Sequence, residues 1–375
     1  MKNLFVKLKN DNLAKLLLSV LILFFILNMI ISPAKFIAQG LNGISAWAFN
    51  VLPSVLPFMF FTKALSSLGQ IEKLTRPFQR VTKALFNTPP ISFYAFFMAI
   101  LSGYPVGSKM IADLYMQGKI TKDEAYRMSA FCSTSGPMFI IGAVGVGMFK
   151  SSIIGYILFI SHVFSAFLNG LIYRKLGCKK SNDKNKQNKN FQIEKTANKS
   201  ENVDINIAIS KQIKDEKIER ENDNNKISTE IDTQNKNIKF QTNKENKTTK
   251  APDISEIVLS STLAILSVGC IITIFFIIIE CLSPIFNLFP ENFSAFLEGL
   301  VEITRGCLSL SALPNVKLAV VLASFVISFG GISTLLQSLT MLQQVKMPVK
   351  LFALQKLTHA LLSALISAIL VLVFM

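Results

Sequence analysis

Ser102-Gly103-Tyr104-Pro105-Val106-Gly107-Ser108-Lys109 closes an apolar run that is too short to cross a bilayer. As a helix, the run Ile91–Leu101 would be about 16 Å long, roughly half of a ~30 Å hydrocarbon core. It stops at two glycines, a proline and a lysine. Lipid cannot satisfy free N–H and C=O groups. Backbone that breaks at membrane depth is therefore either buried in protein or lines a cavity. The stretch predicts a broken helix and marks the place where a ligand would be met.

Composition sets the class. The chain has 375 residues, of which 51% are hydrophobic and only 17% charged, where a soluble domain would carry about a quarter charged. The runs Leu16–Ile31, Ser152–Ile172, Ile257–Ile279, Lys317–Ser328 and Leu357–Phe374 are too apolar for ordinary core helices. An all-α, polytopic membrane protein is expected. The formal charge of +16 is not a nucleic-acid footprint, because the basic residues gather where the chain leaves the bilayer. Lys2, Lys7, Lys9 and Lys15 precede the first run, and Arg174, Lys175, Lys179 and Lys180 follow another. This positive-inside pattern puts the N-terminus and the centre of the chain in the cytoplasm. The run Leu16–Ile31 is longer than a signal-peptide core, and Pro33 sits inside the would-be cleavage site, so it reads as a retained span.

The organisation is tripartite: a first membrane half over 1–178, a polar linker over 179–252 and a second membrane half over 253–375. The linker is dominated by Lys, Asn, Glu, Asp and Gln. It cannot bury enough apolar surface to fold and is expected to be a disordered cytoplasmic spacer. The halves look related. Aligning Ser102 with Ser328 sets the first break against Ser328-Phe329-Gly330-Gly331-Ile332-Ser333, and Lys122–Ser135 then resembles Pro348–Leu361. Paired, interrupted hydrophobic segments in two halves are the signature of a repeat-built transporter with re-entrant or broken helices.

Three clusters carry the candidate chemistry. In the first, Gly103 and Gly107 have the GxxxG spacing of packed helices. Pro105 between them would break the helix, and Lys109 would be costly on a plain packing face. A helix N-terminus at Gly107–Ser108, with Lys109, would favour an anion. Lys109 could equally pair with Asp113 one turn on. In the second, Ser133-Thr134-Ser135-Gly136-Pro137 offers hydroxyl and backbone oxygens to a polar substrate or to a coupling Na+ or H+. The plainer reading is a loop before a span. In the third, Glu298 and Glu302 would share a helical face, with Thr304 beside them and Arg305 placed to neutralise Glu302. The candidate substrate-binding residues are thus Ser102, Gly103, Tyr104, Pro105, Gly107, Ser108, Lys109, Ser133, Thr134, Ser135, Gly136, Pro137, Glu302, Thr304, Gly330, Gly331 and Ser333. His162 and His359 lie in spans, where a proton relay competes with the commoner packing role.

No HExxH, GxSxG, P-loop or GxGxxG motif is present, so nothing supports an enzyme or a resident cofactor. Five scattered cysteines without a CxxC spacing argue against a disulfide framework or a zinc site.

The segments Leu101–Lys109 and Ser129–Gly142, with Glu298–Gly306 and Ser328–Ser333 in the second half, resemble the sporulation integral membrane protein family of the YlbJ type. That family belongs to the nucleoside-recognition (Gate) domain group, which is similar to concentrative nucleoside transporters. The long polar linker departs from the compact family pattern. The resemblance implies a role in endospore formation: passage of dipicolinic acid, a small planar dianion, from the mother cell across the outer forespore membrane. Dipicolinate and membrane lipid are then the expected partners. The competing readings are a membrane scaffold for spore envelope and cortex assembly, docking through the linker, and a nucleoside transporter.

Overall fold

A computed structural model describes residues 2–68, 73, 76–177 and 254–375. The linker expected over 179–252 lies outside them. The described residues are all helical and turn, with no strand among them. Residues Met1–Gly177 and Ala251–Met375 form one compact unit, so the two membrane halves share a single body.

The first half runs α1 (Lys2–Ile31), α2 (Pro33–Ala46), a π-helical turn (Trp47–Val51), α3 (Leu52–Ser67), α4 (Gln79–Phe86), α5 (Ile91–Ser102), α6 (Val106–Met116), α7 (Lys122–Ser129), a π-helix (Met138–Met148) and α8 (Ser152–Ile172). The second half runs α9 (Ile254–Phe286), α10 (Glu291–Val301), α11 (Ile303–Ser311), α12 (Val316–Phe329), α13 (Gly331–Met341) and α14 (Val349–Phe374). Local signals fix several starts. Thr121 and Glu124 form a reciprocal capping box before α7, and Asn315 Oδ1 accepts from the Leu318 N–H, 3.1 Å away, at the start of α12.

Among the described residues, five helical stretches are long and apolar enough to cross a membrane: Pro33–Leu65, Ser152–Lys175, Ile254–Phe286, Val316–Val345 and Val349–Phe374. Shorter apolar helices are Ser19–Ile31, Ile91–Ser102 and Met138–Met148. The span expected at Leu16–Ile31 is the C-terminal part of α1, whose stretch Ser19–Ile31 is among the shorter apolar helices. The path Pro33–Leu65 is helical throughout: Trp47 opens the π-helical turn, and Pro57 sits inside α3 without ending it, as prolines in membrane helices often do.

The spanning helices are built inside out. In α8 the face Ile153, Tyr156, Ile160 and Phe164 is exposed, while Ser161, His162, Ser165 and Asn169 are buried. In α14, Leu354, Leu357, Leu361, Leu365 and Ile369 are exposed, while Gln355, Lys356, His359, Ser363 and Ser367 are buried. An apolar rim around a polar interior is what lipid selects, since intramembrane polar groups must face the bundle.

Interior hydrogen bonds tie the halves together. Asn169 Nδ2 donates to the carbonyls of Ala130 (2.7 Å) and Gln355 (3.0 Å), and Thr358 Oγ1 donates to Asn169 Oδ1 (2.7 Å). Gln355 Oε1 accepts from Ser129 Oγ (2.8 Å). Close backbone approach also needs small residues: Gly299 of α10 and Gly306 of α11 meet with no room for a side chain between them.

One element of the expected internal match does not hold. Lys122–Ser135 leaves its helix at Ser129 and opens into an irregular stretch, whereas Pro348–Leu361 enters the unbroken helix α14. The Gly-Pro that follows Ser135 has no counterpart in the second half.

Candidate functional site

Three helix breaks converge. The first separates α5 from α6 at Gly103-Tyr104-Pro105, where Gly103 has φ +72° and ψ −167°, a conformation open to glycine. A Cβ on Gly103 would lie 2.6 Å from the Gly136 nitrogen, so this break rests on the irregular stretch Cys132–Pro137. The second separates α12 from α13 at Gly330, with φ +96°. A Cβ there would come within 3.6 Å of Cζ and Oη of Tyr104, which brings the first break against the second. The third separates α10 from α11 at Glu302, which is extended (φ −143°, ψ 126°). A Cβ on Gly331 would lie 3.1 Å from the Val301 carbonyl oxygen and 3.2 Å from that of Gly299. The second and third breaks therefore also touch.

Where they meet is a cavity of about 420 Å³. Its wall includes Ser102, Gly103, Tyr104, Pro105 and Lys109 from the first break, and Ser135 and Gly136 from the irregular stretch. The second half supplies Glu302 and Thr304 from the third break, and Ser333, Thr334 and Gln337 from α13. Apolar residues of α3 and α9, among them Phe58, Met59, Ile265 and Ile272, close the remainder.

Other expected site residues lie behind this wall. A side chain on Gly107 would strike the Cys132 carbonyl and Ala99, so Gly107 serves close packing. Ser108 is buried beside it. Helix α6 starts at Val106, and the Val106 N–H is already taken by the Gly103 carbonyl at 3.0 Å. Ser133 and Thr134 are buried with unpartnered hydroxyls, and Pro137 opens the π-helix. Gly330 and Gly331 shape the wall from behind through Tyr104, Val301 and Gly299.

The charge pattern also differs from the expectation. Glu298 and Glu302 do not share a face, because α10 ends between them. Arg305 pairs with Glu298 (Nε–Oε2 3.2 Å), reaches Gln39 Oε1 (3.2 Å) and lies over the Phe276 ring. Glu302 instead caps α11. Its carboxylate accepts from the Arg305 N–H at 2.8 Å. Lys109 makes no ion pair with Asp113; both are exposed.

Sequence reasoning missed two lysines. Lys63 of α3 lines the cavity, donates to Ser260 Oγ at 3.2 Å and lies close enough to Lys109 for the two charges to interact. Its signal was a lysine inside the apolar run Phe58-Met59-Phe60-Phe61-Thr62-Lys63. Lys356 of α14 is buried and donates to Tyr104 Oη and to the Ser133 carbonyl, the latter at 2.9 Å. Its signal was the Gln355-Lys356 pair, with His359 one turn on, in the last apolar span. The two histidines belong to the interior. His162 Nε2 accepts from the Ser135 N–H (2.9 Å), its Nδ1 meets Ser328 Oγ (2.8 Å), and His359 Nε2 donates to the His162 carbonyl (3.1 Å).

Comparison with known proteins locates this architecture. Residues 48–169 match the Gate family, described as nucleoside recognition. The chain is 33% identical to the sporulation integral membrane protein YlbJ of Bacillus subtilis (strain 168) over 174 residues, which is 45% of this chain and 42% of that protein. The match thus spans less than half the length of this relative. No solved structure matches the chain.

Proposed function

We propose that this chain, which is similar over part of its length to a sporulation integral membrane protein and to the Gate family, moves a small carboxylate across a membrane through the cavity at the three helix breaks. The observation that carries the reading is the cavity itself. It is a partly open cavity of about 420 Å³ bounded by broken helices of both halves, with Lys63 and Lys109 on its wall. Broken helices at a repeat interface are where transporters bind substrate. The volume lies toward the lower end of the ~300–1,000 Å³ usual for small-molecule sites.

Two lysines suit a ligand with two carboxylates, and Tyr104, Phe58 and Phe139 on the wall suit a planar ring. Dipicolinate has both features, and the family resemblance supplies it as the substrate. Its route would be the outer forespore membrane, from the mother cell. The single carboxylate on the wall, Glu302, is occupied in capping α11, which leaves the net character of the wall positive.

A second reading has its own support. The family match is described as nucleoside recognition, and Gln337 and Tyr104 offer the amide and ring a nucleoside would use. Competition binding of dipicolinate against purine nucleosides on the purified protein separates the two. Displacement by nucleosides alone would support the second reading.

A further inference from the structure

We propose that Glu302 is the proton-binding residue of the cavity, and that the site takes up a proton together with a dicarboxylate ligand. This rests on the reading that the cavity holds a small carboxylate. Glu302 sits at the third break, between the end of α10 and the start of α11, and its extended backbone sets it on the cavity wall. It is 3% exposed. Its Oε2 accepts from the Arg305 N–H at 2.8 Å, and among the described residues no cationic side chain forms an ion pair with it. The guanidinium of Arg305 is held elsewhere, by Glu298 and Gln39.

The charged residues of the wall are Lys63, Lys109 and Glu302. With Glu302 ionised, a carboxylate of the ligand shares the site with a carboxylate of the protein, and like charges at close range hold one proton between them. With Glu302 protonated, two lysines face two ligand carboxylates. The proton comes from bulk water and rests on the Glu302 carboxyl, whose carbonyl oxygen can still accept from the Arg305 N–H. Glu302 lies outside the five stretches long and apolar enough to cross the membrane, and burial pushes its carboxyl up to about 7 against the pull of that N–H. Both ligand carboxylates stay ionised in that range.

The titratable groups around Glu302 are few. Glu298 and Arg305 are paired, as are Glu280 of α9 and Lys35 of α2, at 2.8 Å. Cys307 is buried one turn into α11, and Cys281 is buried in α9. Lys63, Lys109 and Tyr104 lie on the cavity wall, and His162 stands behind Ser135. Helix α12 adds only the exposed Lys317; α13 and the π-helix Met138–Met148 add none. Glu302 is thus the one carboxylate the ligand meets on the wall.

The test is calorimetric titration of the purified full-length protein with pyridine-2,6-dicarboxylate, repeated in buffers of different ionisation enthalpy. This reads both the affinity and the protons taken up. Binding that strengthens the hold on the proton is favoured at low pH and weakens as pH rises through the free carboxyl's range. If the loaded site holds the proton about tenfold more tightly, affinity should fall about fivefold from pH 6 to pH 8. Uptake should be about half a proton near pH 7, with little at pH 5.5 and a decline above pH 8. The neutral pyridine-2,6-dicarboxamide should bind without uptake. Glu302→Gln, which imitates the protonated acid and keeps an acceptor for the Arg305 N–H, should abolish the uptake and flatten the profile between pH 6 and pH 8.

The wild-type profile decides without the variant should Glu302→Gln fail to fold. Uptake that keeps climbing toward pH 9 belongs to Lys63 and Lys109 and overturns the proposal, as does equal uptake with the diamide. Uptake that persists in a folded Glu302→Gln overturns it too. If the dicarboxylate binds with no uptake and no change of affinity from pH 6 to pH 8, Glu302 is a helix cap alone and only this proposal falls. If the dicarboxylate binds at no pH, the carboxylate reading of the cavity falls and this proposal falls with it.

Discussion

His162 Nδ1 and Ser328 Oγ lie 2.8 Å apart in the buried interior, so a histidine of the first membrane half is hydrogen-bonded to a serine two residues ahead of the Gly330 break. The other ring nitrogen of His162 accepts from the Ser135 N–H, at the wall of the cavity. One side chain therefore spans from the irregular stretch of one half to the break of the other. Because Nε2 accepts, Nδ1 carries the proton and donates to the serine.

Removing either end of this link leaves a buried polar group unsatisfied. Ser328→Ala should destabilise the detergent-solubilised protein by about 1–3 kcal/mol, and His162→Ala by at least as much. Thermal unfolding of the two single variants and the double variant measures the coupling. A double variant that loses less than the sum of the singles is expected for partners in one hydrogen bond. Full additivity would dissociate the two residues.

The pairing of Arg305 makes a sharper prediction about charge. Glu298 and Arg305 are both largely buried and share a salt bridge, whereas Glu302 takes only the backbone N–H of Arg305. Arg305→Met should cost about 3–5 kcal/mol by stranding the Glu298 carboxylate. A double-mutant cycle between positions 298 and 305 should show coupling of about 1–3 kcal/mol, and a cycle between side chains 302 and 305 should show little. Strong coupling at 302 would restore the neutralising role that sequence spacing alone suggested for Arg305.

Two glycines of the GxxxG pair should respond differently from the cavity lysines. Gly103→Ala places a side chain at φ +72° against the Gly136 nitrogen, and Gly107→Ala drives one into the Cys132 carbonyl. Both should lower the amount of folded protein, with Gly103→Ala costing about 1–3 kcal/mol from backbone strain before any clash is counted. Lys63→Ala and Lys109→Ala should leave folded yield intact and weaken carboxylate binding by about tenfold or less each, with the effect fading at high salt. Size-exclusion yield in detergent, measured beside ligand titration, separates the classes.

The broken helix at Gly103–Pro105 was legible because lipid leaves so few options to a half-length apolar run followed by Gly and Pro. Glycines at Gly330 and Gly331 were legible for the same reason. What sequence spacing could not supply was which face of each break met the cavity. Gly107 and Ser108 follow the break by only a few residues, yet Gly107 packs against Ala99 and Cys132 and Ser108 is buried beside it. The pairing of Glu298 with Arg305 depends on α10 ending at Val301, an end that the four-residue spacing of Glu298 and Glu302 does not reveal. Lys356 was invisible as a site residue because its partners, Tyr104 and Ser133, lie more than 220 positions away in the chain.

The central claim is that the cavity at the three breaks passes a small carboxylate, and transport by the purified protein tests it most directly. Liposomes containing the full-length chain should accumulate labelled dipicolinate faster than protein-free liposomes. Unlabelled dipicolinate should compete, and Lys109→Ala should slow uptake at equal protein content. Uptake no faster than in protein-free liposomes, in the presence and absence of sodium and proton gradients, would contradict the account.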